Sequence, residues 1–173
     1  MTFMLIRLTS VLVLTVMISA GCMAQSAAQP KVSQTSPNGG VDAAQADLRA
    51  VIAGLHDDGN ALNDIGSSLR GTDADNAIAL GDAIQLAMME TDAAFWFMEA
   101  YNKMGCGQDR EIMKGILQKR LAFYSHVLDL NISASSGQLA LTKVPAVSQI
   151  AVRAQDRMRS AKRDLQLVLD AIQ

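Results

Sequence analysis

Residues 145–172 read PAVSQIAVRAQDRMRSAKRDLQLVLDAI, and this stretch decides the fold class. Its apolar positions Val147, Ala151, Ala154, Met158, Ala161, Leu165, Val168 and Ile172 advance by alternating steps of four and three. That spacing keeps one stripe of an α-helix turned toward a neighbouring helix, whereas a strand would alternate in twos. Pro145 suits the first turn, where its missing N–H would lack a helical partner in any case. The remaining surface carries Arg153, Arg157, Arg159, Lys162 and Arg163. A helix so divided needs other helices to cover its stripe.

Reading back toward the N-terminus supplies them. Met113, Ile116, Leu117, Leu121, Tyr124, Val127, Leu128 and Ile132 predict a helix that begins at Asp109, after Gly105-Cys106-Gly107, and fades at Ser133. Residues 133–142 (SASSGQLALT) lose the period and read as the longest connection. Ahead of the glycine turn a helix runs from Thr72, as N-cap with Asp75 in the first turn, to Met104. Its stripe is Ala77, Ile84, Met88, Phe95 and Met98. At about 100° per residue, Met89, Ala93, Trp96 and Ala100 form a second face, with Leu86 and Phe97 near it, so this helix is apolar nearly all round.

The first helical pattern opens at Asp42, with Leu48, Leu55, Leu62 and Leu69 recurring at sevens. His56-Asp57-Asp58-Gly59-Asn60 has the composition of a breaker, yet the Leu phase passes through it unchanged. One helix over 42–70 is therefore expected, with Gly59 and Gly66 on the stripe letting a neighbour come close. Four such helices with short links predict an all-α, antiparallel up-down-up-down four-helix bundle over residues 42–173, behind a flexible tether. Asp57, Asp58 and Asp64 lie midway along the first helix and the basic run midway along the last. Antiparallel packing would set them face to face, so the basic run reads as half of an ion-pairing seam. The chain's net charge of −2 gives no reason to expect nucleic acid as a partner.

At the start of the chain, Arg7 precedes an uncharged run from Leu8 to Ala20 (LTSVLVLTVMISA). That run is far shorter than the roughly 20 residues a membrane span needs, and it reads as a cleaved leader. Behind it, Ser19-Ala20-Gly21-Cys22 resembles the lipobox of bacterial lipoproteins, with Ser19 where that family usually has Leu and Ile18 one step further out. The resemblance implies a leader over residues 1–21 and an acylated Cys22 as the mature N-terminus, so that membrane contact comes through the N-terminal lipid. Met23, in place of the Asp that implies inner-membrane retention, resembles the pattern for the bacterial outer membrane, with the domain facing the periplasm. Residues 22–41 hold almost nothing to bury and read as a tether with a reach of roughly 20 to 25 Å. With Cys22 acylated, Cys106 is the odd thiol of the mature chain.

Chemistry-bearing residues are few. His56 and His126 fall at similar heights, but neither is turned toward its apolar stripe, and neither a Glu-x-x-His pair nor a Cys-x-x-Cys-His motif is present. Met88, Met89, Met98, Met104, Met113 and Met158 are soft enough for Cu(I), although helical spacing explains most of them as core. Cys106 has no His in its stretch and no G-x-S-x-G occurs. No catalytic residue, metal ligand or cofactor is therefore expected. What remains is Met89, Trp96 and Phe97, surplus to the core of a four-helix bundle. They are candidates for contact with a protein partner or a second copy; cover by the 133–142 connection and contact with a membrane are the alternatives. The expectation is a lipid-anchored cell-envelope protein with a helical interaction or structural domain, and the alternative is a metal- or haem-binding bundle in the periplasm.

Overall fold

The computed structural model describes residues 39–105 and 107–172; the expected leader, Cys22, the expected tether up to residue 38 and Cys106 lie outside the described residues. Four helices follow one another: α1 (Gly39–Ser68), α2 (Thr72–Lys103), α3 (Gln108–Leu139) and α4 (Pro145–Ala171). No strand occurs among the described residues. Each helix packs against its neighbours in sequence, and α4 closes on α1, which makes the all-α up-down-up-down bundle. None of the described helices is long and apolar enough to cross a membrane.

The eight-residue stripe of α4 is buried throughout, from 0% exposure at Val147 to 9% at Ile172. Facing it, Leu48, Leu55 and Leu62 of α1 are fully enclosed. Burying a side chain of that size contributes about 1.5 to 3 kcal/mol, which is why the stripes align before any polar detail is decided. α1 runs through Gly59 without a break. There the chain uses glycine on both sides of a close approach: a Cβ on Gly81 of α2 would lie 3.2 Å from the Gly59 carbonyl oxygen and press on the Asn63 side chain.

Three boundaries differ from expectation. α1 begins at Gly39, three residues before Asp42. Gly71, at φ 63°, precedes the first turn of α2, and Thr72 lies inside the helix rather than capping it. The larger correction is α3, which continues to Leu139 and shrinks the expected 133–142 connection to a few residues before Pro145. Its last turns bury polar groups instead of hydrocarbon. Ser135 and Ser136 donate back to the Ile132 carbonyl at 3.0 and 2.7 Å, and the buried Gln155 amide of α4 donates to both hydroxyls at 3.1 and 3.2 Å. A helix whose buried face is polar shows no hydrophobic period.

Candidate interaction surface

The most enclosed charge in the described chain is Asp58, 1% exposed in the seam between α1 and α4. Arg153 donates to its Oδ1 from Nε at 2.9 Å and from Nη2 at 2.5 Å, and Arg157 donates to Oδ2. Arg157 reaches that position through a gap left by Gly54, whose carbonyl it also meets at 2.5 Å; a Cβ on Gly54 would occupy the place of the guanidinium. The hydrogen bond to Asp58 raises the Arg153 pKa. A carboxylate this deep needs such partners to stay charged. The expected facing of acidic and basic runs thus occurs at Asp58, while Asp57 and Asp64 are exposed and Lys162 pairs with Asp129 at 2.7 Å. An open groove along this seam is lined by Arg153, Arg157 and Arg163, but the first two are already committed to Asp58.

The opposite side of the bundle is built differently. Of the eleven large hydrophobic side chains left exposed among the described residues, four lie on α2 (Ile78, Leu86, Met89, Trp96) and four on α3 (Ile112, Ile116, Phe123, Leu130). Trp96 is 59% and Met89 57% exposed, two turns apart on one face of α2. Trp96 rests edge-on against Phe95, centroids 5.6 Å apart, and none of the described connections covers it. Phe97 parts from them: it is half-buried, 6.3 Å from the Tyr124 ring, with the Arg120 guanidinium 5.6 Å from its centroid. It belongs to the α2–α3 seam, and the outward strip is continued instead by α3. Phe123, 51% exposed, stands 5.7 Å from Tyr124, and Leu130 is 56% exposed. Burial raises the Tyr124 pKa.

Reading the sequence missed the α3 half of the strip. Ile116, Phe123 and Leu130 repeat at sevens one residue ahead of the buried Leu117, Tyr124 and Asn131, so a core stripe and a surface stripe share one period. The doubled heptad was the available signal.

The histidines are both exposed, with His56 3.3 Å from the Asn60 amide and 3.5 Å from Asp57. Among the described residues no three His, Cys, Asp or Glu side chains converge where they could hold a metal ion. The methionines are divided: Met98 and Met158 are core, Met88, Met104 and Met113 half-buried, and Met89 exposed.

This combination defines a helical bundle with one polar, ion-paired side and one apolar outward side. No family model, no curated protein and no solved structure matches the chain.

Proposed function

We propose that this chain is a lipid-anchored cell-envelope protein whose bundle works by protein contact through the outward side of α2 and α3, without chemistry of its own. The observation that carries the contact reading is the concentration, among the described residues, of eight of eleven exposed large hydrophobics on two of the four helices. Scattered single hydrophobics are ordinary on any surface, whereas an aligned strip containing Trp and Phe marks a place normally covered. The anchor reading is supported by Ser19-Ala20-Gly21-Cys22 behind an uncharged run. Several acyl chains hold a domain stably on a bilayer, so Cys22→Ser should move the protein to the soluble fraction.

A photo-crosslinking amino acid at position 96, compared with one at exposed Gln149 of α4, tests the contact in intact membranes. Adducts with protein from position 96 and not from 149 are the expected result. Equal adducts from both, or none from either, would remove the contact reading; recovery of an unacylated mature chain beginning after Cys22 would remove the anchor.

A further inference from the structure

We infer that the occupant of the α2–α3 strip is a second copy of this chain, related by a two-fold axis parallel to the helices. This inference rests on reading the strip as a contact surface.

Register is the first argument. Within one chain Phe97 of α2 meets both Arg120 and Tyr124 of antiparallel α3. A two-fold axis along the bundle lays α2 of one copy on α3 of the other, again antiparallel and at unchanged height, so the same register applies between copies. It sets Trp96 opposite Phe123 and Met89 opposite Leu130, the exposed residues spaced by seven on each helix, and every contact occurs twice. The outward third of two 32-residue helices also supplies about the twenty residues a side that a standard interface uses.

Charge agrees with that choice of axis. From Thr72 to Asn102 every charged residue of α2 is acidic, whereas between Ile112 and Leu128 those of α3 are Lys114, Lys119 and Arg120, with His126 beside them. The register above brings Asp92 opposite His126 of the other copy, while Glu99, opposite Lys119, is already paired with Lys103 of its own helix at 2.8 Å. An axis across the helices would instead stack α2 on α2 and set acidic rows against each other.

Anchoring supplies the third argument. With the axis along the bundle, both copies of α1 begin at the same end, and both tethers can reach one bilayer. With the axis across the helices the two starts would lie at opposite ends of helices about 45 Å long.

The test uses the full-length chain in membranes and after detergent extraction. Asp92→Cys and His126→Cys placed in one chain, with Cys106→Ser, lie on opposite edges of the strip, so a short bis-maleimide links them only between copies. Efficient covalent dimer from this variant, little from either cysteine alone, and sedimentation of the unmodified protein as a dimer are expected. Trp96→Ala should raise the dissociation constant about thirtyfold or more. A protein that sediments as a monomer at all concentrations overturns the inference, and dimer formed equally well by Asp92→Cys alone overturns the axis. If position 96 photo-crosslinks to proteins of other mass while the chain stays monomeric, the homodimer fails and the contact function stands. If position 96 crosslinks to nothing, both fail.

Discussion

The two seams that flank the bundle handle polarity in opposite ways. Between α1 and α4, Asp58 is drawn inside and held by Arg153 and Arg157, and among the described side chains only Val152 and Leu167 of α4 leave large hydrophobics exposed. Between α2 and α3 the contacts are rings and cations over rings, Phe97 with Tyr124 and Arg120, and Tyr101 with Arg110 at 4.4 Å, while eight hydrophobics stay outside. A helix in a four-helix bundle buries only part of its circumference. Among the described residues amphipathic α1 and α4 have little left over, whereas α2, apolar nearly all round, and α3, with a second apolar stripe beside its core stripe, have a surplus that the fold cannot use. The surplus points to assembly, and the ion cluster to stability.

The sharpest way to break this contrast is at Asp58. Arg153→Met with Arg157→Met leaves a carboxylate buried and alone, and should cost about 3 to 5 kcal/mol in urea unfolding. Adding Asp58→Leu should recover much of that loss, since hydrocarbon replaces a buried ion set at little net cost. A loss below about 1 kcal/mol would class the cluster with ordinary surface pairs and erase the difference between the seams.

Next in size is Trp96→Ala, which should weaken association by about 2 kcal/mol or more while leaving helicity and the monomer's unfolding midpoint unchanged. Leu167, 58% exposed against 59% for Trp96, is the matched control on α4. Leu167→Ala should leave association unaltered. If both substitutions act alike by sedimentation, exposure alone is being measured and the strip has no special standing.

Legibility in the sequence followed the kind of burial. The α4 stripe was readable residue by residue because hydrocarbon pays no penalty for helical spacing, and every member is enclosed. The end of α3 was not, because Ser135, Gln155 and Asn131 are buried as polar residues, which no hydrophobic period reveals. Charge placement foretold an α1–α4 pairing, but Gly54 as the opening for Arg157 could be seen only with both helices in place. On the strip, Met89 and Trp96 were legible from their angle on α2. Phe97 was misplaced because its angle lies between the outer face and α3, where only the actual neighbour decides.

Glycine substitutions sharpen the account of the α1–α2 approach at a smaller scale. Gly81→Ala meets the Gly59 carbonyl oxygen at 3.2 Å together with the Asn63 side chain, and overpacking of that kind costs about 1 to 3 kcal/mol. Gly59→Ala meets only side-chain atoms of Gln85, from the amide nitrogen at 2.6 Å back to Cγ at 2.9 Å, so the whole Gln85 side chain must turn away while no backbone has to part. Gln85 would leave the Asn60 oxygen it holds at 3.0 Å, while helix propensity returns up to about 1 kcal/mol. Thermal unfolding should therefore rank Gly81→Ala well below Gly59→Ala, with the latter near the parent; the reverse order would mean that Gln85 is fixed and the backbones are free to part.

The smallest expected effect lies at Asp164, on the α4 face toward α1. It is 7% exposed, and its Oδ2 has no hydrogen-bond partner. Burial raises its pKa, the Asp47 carboxylate adds to the rise, and Arg163 opposes it. A carboxyl whose folded pKa exceeds its unfolded value binds its proton more tightly in the native state. Its stabilising contribution is full below the unfolded pKa, close to 3.9, and is lost as pH rises through the folded value. At neutral pH the group is therefore a liability, and Asp164→Asn should stabilise the bundle slightly, because the amide leaves no charge to bury there. That advantage should shrink as the pH of the unfolding experiment is lowered toward 4, because the parent then gains the proton the variant does not need. Asp170→Asn, at an exposed position, should show no gain at neutral pH. A difference between parent and Asp164→Asn that stays constant with pH would mean that the carboxylate is solvated, and that the α1–α4 seam holds one buried ion at Asp58 and no second.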